Sequence, residues 1–290
     1  MKQAVLISAY KNVNHIYEVI DFFNDDFTFY IHIDKKSKLP EAEVQGLKEN
    51  KRVALVSRDY TTNWGGLNML KSIILLIKEA LKDTKIEYIH LISGGDFPIK
   101  PHNYFIQYFS QNRGKEFIEV SPMPRIQWAN GGMNRLHHYN LHNLFDPKAY
   151  WGSRIIRYSL RFQKFFRIKR KISNRLPKLY GGSTWWSLSN NSLKYVIEYS
   201  EKNPELFKRM RYTFCSEEIY FQTVLMTSPY AGNVTNDSLR YILWDYKHNT
   251  IPGILDEVDY PTLKESAALF ARKFDYPQSA RLLERLKQMP

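Results

Sequence analysis

The chain has 290 residues, 43% hydrophobic and 15% aromatic, a composition typical of a folded globular protein and not of a disordered one. Its formal net charge of +13 implies an anionic partner such as a nucleotide, a nucleic acid or a membrane surface. No run of apolar residues is long enough to span a membrane, and the single cysteine, Cys215, excludes an intrachain disulfide. We therefore predict a reducing, cytoplasmic location.

Strand and helix patterns alternate through the first part of the chain. Runs typical of strands are residues 4–10, 27–34, 52–57 and 86–93, and runs typical of helices between them are 14–23 and 67–81. This alternation favours a mostly parallel sheet with helices on both faces. Ligands of such folds bind at the C-terminal ends of the strands, where polar clusters occur at 8–12, 34–37 and 93–100.

The second part of the chain is less regular. A Gly-Gly pair at 181–182 leads into a short aromatic strand and a helix, and a strand is predicted at 239–246. A C-terminal helical stretch is predicted through residues 263–274. No repeat or flexible linker interrupts the pattern, so we predict one domain over 1–290, with a nucleotide-binding half at 1–120 and an acceptor and catalytic half at 121–290.

Two adjacent glutamates, Glu217 and Glu218, stand before an apolar run in "CSEEIYFQTVL", residues 215–225. An ordinary helix start explains them in part, because Ser216 is a good N-cap and first-turn carboxylates are stabilised by the helix dipole. Neighbours on a helix point about 100° apart, so one of the two is expected to face inward or toward a cleft. Catalysis by that carboxylate is the alternative.

Several familiar sites are missing from the sequence. It contains no P-loop, GxGxxG, HExxH or GxSxG pattern, which argues against hydrolases and dehydrogenases. It also contains no Asp-x-Asp pair, the element with which many nucleotide-sugar transferases hold a divalent metal. If the protein handles a diphosphate, lysine and arginine must neutralise it. We therefore expect no metal and no other cofactor.

The basic residues are concentrated in one segment, 154–178. It contains ten Lys or Arg residues, and no acidic residue occurs between Asp146 and Glu198. The charges are interleaved with Ile, Leu and Phe, as in a helix that lies on an anionic surface, although a solvated helix face fits equally well. We predict peripheral contact with the inner face of an anionic membrane.

Seven segments, taken together, resemble the core-2/I-branching N-acetylglucosaminyltransferase and peptide O-xylosyltransferase family, glycosyltransferase family fourteen. They are collinear with it from about residue 3 to residue 275 and read "YIHIDKKS", "WGGLNMLKSIILLIKEAL", "HLISGGDFPIKP", "GGSTWWSLSNNSLKYVIEY", "SEEIYFQTVLMTSP", "LRYILWDY" and "LFARKFD". The resemblance implies an α/β fold of the GT-A nucleotide-sugar type, an inverting mechanism and no metal requirement. Animal members carry a membrane anchor and many cysteines, and this chain looks like a bacterial cytoplasmic relative.

The resemblance also implies roles for individual residues. Glu218 matches the catalytic base, Asp34 a nucleoside contact, and Lys273 the lysine that pairs with the diphosphate. The remaining predicted residues are Asp96, facing the donor, Arg240, a second diphosphate partner, and Trp185, Trp186, Trp244 and Tyr246, in contact with the acceptor. Each has an ordinary structural alternative: turn residues for Asp34 and Asp96, core positions for the tryptophan pair, and a helix end for Lys273.

The predicted reaction is transfer of a sugar from a UDP-sugar to a hydroxyl of a glycan or lipid-linked oligosaccharide, with formation of a β-linkage. UDP-N-acetylglucosamine is the first candidate donor and UDP-xylose the alternative. A nucleic-acid-binding protein is the rival, because the chain is basic and rich in aromatics. The charge is concentrated in one segment, however, and no RNP or helix-turn-helix signature occurs, so we expect no nucleic-acid partner.

Overall fold

A central six-stranded sheet organises the computed structural model, which describes residues 1–289. The strands in this part of the chain are β1 Lys2–Ala9, β2 Phe27–Ile33, β3 Val53–Ser57, β4 Ile86–Ser93, β5 Asp96–Pro98, β6 Phe117–Ile118, β7 Ser121–Pro122, β8 Tyr180–Gly181, β9 Trp186–Ser189, β10 Arg240–Ile242 and β11 Phe270–Arg272. The α-helices are α1 Val13–Phe22, α2 Glu41–Glu49, α3 Leu67–Ala80, α4 His102–Gln111, α5 Met133–His137, α6 Tyr150–Phe165, α7 Asn190–Lys202, α8 Pro204–Met210, α9 Glu217–Met226, α10 Tyr260–Glu265 and α11 Ala280–Lys287.

The strand order in the sheet is β3-β2-β1-β4-β9-β6. Strands β1 to β4 are parallel, whereas β9 is antiparallel to both of its neighbours, so one strand of six is reversed. Because β9 comes from the second part of the chain, residues 1–120 and 121–290 share this sheet. The order reverses between β1 and β4, and their C-terminal ends form the crevice in which such sheets bind ligands.

Helices cover both faces of the sheet because the strand side chains alternate in direction. In β1, Val5 and Ile7 point into a core formed with α1, α2, α4 and α11, while Ala4 and Leu6 point into a core formed with α3, α7, α8 and α9. The predicted fold class, an α/β protein with a mostly parallel central sheet flanked by helices, is confirmed.

A second sheet corrects the predicted C-terminal helix. Helix α10 ends at Glu265, and Phe270–Arg272 form β11, which pairs in parallel with β10 and antiparallel with β5. Phe270 and Ala271 are fully buried there, so pairing with two strands distant in sequence overrides the local helical pattern. Lys273 therefore follows a strand and does not lie at a helix end. The predicted strand 239–246 shortens to β10 for the same reason: its pairing with β11 ends at Ile242.

Candidate active site

The start of α9 places the two glutamates beside the crevice. The predicted N-cap is wrong, because Ser216 has helical backbone angles and its buried hydroxyl has no hydrogen-bond partner. Contacts with distant segments hold this end instead. The Cys215 amide donates to the Gly65 carbonyl at 3.1 Å, and the Gly182 amide donates to the Glu218 carbonyl at 2.9 Å. The "WGG" and "GGSTWW" motifs thereby position the helix start.

Glu217 and Glu218 occupy different environments. Glu217 is only 5% exposed, and its Oε2 has no hydrogen-bond partner in residues 1–289. Burial, followed by the proximity of Glu218, raises the pKa of Glu217 to about 8. The Glu218 side chain is 23% exposed; it accepts hydrogen bonds from Arg135 and, at 3.4 Å, from the Thr184 hydroxyl. Of the two adjacent glutamates, Glu217 faces the protein interior and Glu218 faces the crevice.

Arg135 is a site residue that the sequence analysis missed. From α5 it forms an ion pair with Glu218, and its guanidinium carbon lies 3.7 Å from the centre of the Trp128 ring. Stacking on an indole restricts the guanidinium and fixes the direction in which it donates. No motif marks Arg135 in "GGMNRLHH", because its role depends on contacts with Glu218 and Trp128, one of which is 83 residues away in sequence.

The Gly-Gly pair provides room for this arrangement. A Cβ on Gly181 would lie 2.7 Å from the Trp128 ring, and one on Gly182 would lie 1.7 Å from the Glu119 carbonyl oxygen. Neither position accepts a side chain without displacement of the indole or the backbone. The close approach of these segments brings Trp128 and Glu218 to the same side of the crevice.

Asp34 lies directly after β2 and is almost fully buried. Its Oδ1 accepts hydrogen bonds from the amides of Lys36 at 3.1 Å and Thr62 at 3.2 Å, which is the turn-forming role considered as the ordinary alternative. Its position at the end of a parallel strand is compatible with a nucleoside contact as well. That contact stays a prediction.

Asp96 does not face a donor, and this part of the prediction is wrong. The residue is fully buried, and its carboxylate accepts hydrogen bonds from the amide and hydroxyl of Ser93 at 3.0 and 2.5 Å. It also lies 3.2 Å from Nε of Arg272. Arg272 in turn stacks on Trp185, with its guanidinium carbon 4.4 Å from the ring centre. Asp96 is thus placed to position Arg272.

The guanidinium of the partly buried Arg240 is engaged by protein groups, which argues against its predicted contact with a diphosphate. One terminal nitrogen donates to the Ser187 hydroxyl and the Ser238 carbonyl, and the other donates to the carbonyls of Leu91 and Trp186. Burial lowers the pKa of this guanidinium to about 9. Its hydrogen bonds connect β10 to strands β4 and β9 of the central sheet, so its role is structural.

Lys273 has the surroundings expected of an anion-binding residue. Its pKa is lowered, first by burial and then by the nearby cation Lys11; Asp275, which pairs with Lys11 at 2.5 Å, acts in the opposite sense, and Arg272 and Lys148 add to the lowering. Its side chain runs beside Gly95, where a Cβ would lie 3.8 Å from Cγ of Lys273. Several cations are therefore held close together at the C-terminal ends of β1 and β4. The pair Arg272 and Lys273 in "FARKFD" was a sequence signal for this cluster that we used only in part.

The four predicted acceptor contacts separate into two groups. Trp186 is fully buried and packs against Phe221, so its predicted acceptor contact is wrong; Trp185 is 7% exposed and supports Arg272. Alternation along β9 sends one indole into the core, but burial removes the other from solvent too. Trp244 and Tyr246 are 67% and 68% exposed, beyond the end of β10. Their acceptor contacts stay predictions.

One group of side chains in residues 1–289 has the spacing of a metal site: Cys215, Glu217 and Glu218, whose ligand atoms lie within 4.8 Å of one another. Its chemistry does not fit a divalent ion. Burial and the two glutamates raise the pKa of the Cys215 thiol well above its usual value, and burial raises the pKa of Glu217 to about 8, so an ion would have to displace a proton from each of these two ligands. Glu218 is already paired with the cation Arg135.

A family model described as "Branch: Core-2/I-Branching enzyme" matches residues 4–263. The chain belongs to the Core-2/I-Branching enzyme family. The matched span of this family member contains Asp34, Arg135 and Glu218, whereas Arg272 and Lys273 follow it.

The family member is similar to three curated animal proteins. Xylosyltransferase 2 of Rattus norvegicus is 24% identical over 286 residues, 90% of this chain and 30% of that protein. Xylosyltransferase sqv-6 of Caenorhabditis briggsae is 26% identical over 225 residues, 74% and 25% of the two proteins. Xylosyltransferase 1 of Mus musculus is 24% identical over 279 residues, 87% and 26%. The chain thus spans less than a third of the length of these relatives.

Distant similarities to solved structures exist as well. The structure of S. aureus TarS 1-349 aligns with a TM-score of 0.38 and 10% identity, over 81% of this chain and 57% of that one. The apo form of the glycosyltransferase GlyE of Streptococcus pneumoniae TIGR4 aligns with a TM-score of 0.38 and 10% identity, over 100% and 61%.

Proposed function

We propose that this chain is an inverting glycosyltransferase that transfers a sugar from a UDP-sugar to a hydroxyl group of a glycan acceptor, without a metal ion. The observation that carries the proposal is that a carboxylate and a group of cations occupy separate positions at the crevice. A partly exposed carboxylate, Glu218, is held by Arg135 on one side, and a cluster of cations around Lys273 lies at the ends of the parallel strands. The matched family supports the same assignment.

Glu218 is the proposed general base. As the acceptor oxygen attacks the anomeric carbon from the side opposite the leaving group, Glu218 takes the hydroxyl proton, and the anomeric configuration inverts to β. Arg135 orients the carboxylate, and the Thr184 hydroxyl, 3.4 Å from Oε1, holds its other oxygen. Trp128, stacked on Arg135, is placed to provide an aromatic face beside this position.

Lys273 and Arg272 are the proposed stabilisers of the leaving group. When the bond between the anomeric carbon and the phosphate oxygen breaks, UDP gains negative charge, which fixed cations in a partly buried site stabilise strongly. Arg272 takes the role first predicted for Arg240. Its guanidinium is oriented by stacking on Trp185 and by its contact with the buried carboxylate of Asp96. Thr184 and Trp185 are adjacent in sequence, so one short segment connects the base to the leaving-group cations.

Two donors are proposed. The resemblance to N-acetylglucosamine-transferring branching enzymes favours UDP-N-acetylglucosamine. The names of the similar curated proteins, all xylosyltransferases, make UDP-xylose the second candidate. A glycan or lipid-linked oligosaccharide is the proposed acceptor.

The direct test is a hydrolysis and transfer screen over UDP-sugars, with release of UDP as the readout and Glu218→Gln as the inactive reference. We expect one of the two UDP-sugars to be consumed faster than the rest. NMR of the product assigns the new linkage as α or β. An α-linked product would contradict the inverting mechanism, and turnover equal to that of Glu218→Gln with every donor would contradict the transferase assignment.

A further inference from the structure

Helix α6 exposes a stripe of large apolar side chains. Its members are Trp151, Ile155, Tyr158, Phe162, Phe165 and Phe166, which are between 39% and 80% exposed. Their spacing of three and four residues places them within about 100° of the helix circumference. Only Gly152, Ile156 and Gln163 of α6 are buried, on another side of the helix. We refer to these six residues as the aromatic stripe.

A row of cations lies beside the aromatic stripe. Arg154, Arg157, Arg161 and Lys164 fall within about 80° of the circumference, between the stripe and the buried side. The guanidinium carbons of Arg157 and Arg161 lie 5.5 and 5.8 Å from the Tyr158 ring, at the border of the two rows. No carboxylate side chain from residue 147 to residue 197 neutralises them.

The segment after α6 adds further charge but differs from the sequence expectation. Residues 166–178 are not helical, so the predicted surface helix covers only the first part of 154–178. Arg170 is buried and donates to the Arg209 carbonyl at 2.6 Å, which removes one of the ten cations from the surface. The other basic residues of 166–178 are Arg167, Lys169, Lys171, Arg175 and Lys178, all exposed.

We propose that α6 docks on an anionic lipid bilayer, with the aromatic stripe entering the interface and the adjacent cations contacting lipid phosphates. Large aromatic and aliphatic side chains beside a row of arginines are the chemistry of a helix that lies in the plane of a membrane surface. A second copy of this chain is a poor occupant, since pairing two stripes would bring their cation rows together. No helix in residues 1–289 has the length and apolar character needed to cross a bilayer.

The position of α6 relates this surface to the crevice. Just before α6, Asp146 pairs with Lys36 at 2.5 Å, and Nζ of Lys148 lies 5.0 Å from the Tyr10 ring beside the cation cluster. Farther along α6, Leu160 and Lys164 line a small cleft together with Arg135. Docking would hold the crevice near the lipid surface, where a lipid-linked acceptor lies. This last step rests on the proposed function, whereas the docking itself does not.

Vesicle flotation of the full chain tests the docking. We expect binding to phosphatidylcholine vesicles that contain phosphatidylglycerol and none to pure phosphatidylcholine. Arg154→Gln, Arg157→Gln and Arg161→Gln together should weaken binding on the order of a hundredfold, because each cation near an anionic surface contributes about 1 kcal/mol. Tyr158→Ser, Phe162→Ser and Phe165→Ser together should also weaken it at least about tenfold, since the stripe supplies the buried apolar area. The matched control, Lys194→Gln, Lys202→Gln and Lys208→Gln, changes three exposed cations of α7 and α8.

Tryptophan quenching by brominated lipids locates the contact. Trp151 is 69% exposed in the stripe, so we expect Trp151→Phe to lose most of the quenching while binding is retained. Binding that survives both triple substitutions of α6, or equal quenching in Trp151→Phe, would overturn the proposal. It would also be overturned if α6 variants dissociate a dimer in light scattering without any vesicle binding, or if an oligonucleotide binds through α6 more tightly than the vesicles. Because these readouts need no turnover, they are independent of the donor screen.

Discussion

The guanidinium of Arg135 donates a hydrogen bond to Oε2 of Glu218, and this contact joins the short helix α5 to the first turn of α9. Arg135 is therefore the residue that sets the direction of the proposed base. We expect Arg135→Gln to lower kcat by roughly 10- to 100-fold with little change in UDP affinity, since misplacing a catalytic group is costly even when binding is intact. Arg135→Lys should restore part of the rate. Steady-state kinetics with UDP titrations would check this, and a loss of UDP binding equal to the loss of rate would contradict it.

The adjacent glutamates should respond differently to the same substitution. Glu218→Gln keeps the size of the side chain but cannot accept the proton, so kcat should fall by roughly 10² to 10⁴ with UDP affinity nearly unchanged. Glu217→Gln is the matched control and should reduce kcat far less, because Glu217 is buried behind the crevice. Single-turnover transfer assays distinguish the two. An inactive Glu217 variant would shift the assignment by one residue, and full activity in both would move the base elsewhere.

Buried Glu217 should make the free energy of unfolding depend on pH. Its pKa is raised to about 8 in the folded protein from an ordinary value of 4.5, so the folded state holds a proton that the unfolded chain releases. Between these values stability falls as pH rises. Buried histidines such as His32, whose pKa is lowered to about 4, act in the opposite sense below their ordinary value of 6.5. The clearest window is therefore pH 6.5 to 8.

We expect Glu217→Gln to remove that slope, because glutamine resembles the neutral acid at every pH. The variant should gain free energy of unfolding relative to the native chain as pH rises through the window. Urea unfolding in steps from pH 6.5 to 8 measures the difference. Parallel curves for the two proteins would show that Glu217 is already ionised in the folded state.

Lys273 and Arg240 should separate binding from stability. Lys273→Ala should weaken UDP binding about tenfold or more and leave the melting temperature nearly unchanged, because the ammonium group of this partly buried lysine makes no hydrogen bond or ion pair within residues 1–289. Arg240→Ala leaves three backbone carbonyls without their donor and should cost about 2–4 kcal/mol of stability. Thermal unfolding and UDP titration of both variants check this, with Lys194→Ala as the exposed control. A lower melting temperature in Lys273→Ala, or weaker UDP binding with unchanged stability in Arg240→Ala, would contradict the assignment.

Turnover should persist in excess EDTA. The sequence lacks an Asp-x-Asp pair, and in the proposed mechanism Arg272 and Lys273 compensate the charge on the departing diphosphate. UDP release measured with and without the chelator should differ by less than about twofold, well below the effect of removing a required Lewis acid. Activity that disappears in EDTA and returns with manganese would refute a metal-free mechanism.

The sequence by itself was sufficient for the parallel part of the fold. The runs that became β1, β2, β3 and β4 are predominantly apolar, and the mostly buried central strands β1, β2 and β4 require that pattern because both faces of the sheet are covered by helices. The same logic predicted that ligand-binding groups would follow those strands. It also predicted that one of Glu217 and Glu218 would face inward or toward a cleft, because neighbours on a helix diverge by about 100°.

Only the tertiary structure decided which charged side chains are available to a ligand and which are engaged by other protein groups. Arg240 and Asp96 look like donor contacts in sequence, yet the guanidinium of Arg240 donates to carbonyls of three segments, and the buried carboxylate of Asp96 contacts Arg272. Arg135 carries no motif, and only the tertiary structure brings its side chain to Glu218. Residues 270–272 became a strand because β5 and β10 offered hydrogen bonds that a helix would have left unused. The local sequence pattern indicates which secondary structure a segment prefers. The partners of a buried charge or of a strand edge come from distant parts of the chain. These partners are required because a buried polar group without a hydrogen bond destabilises the fold.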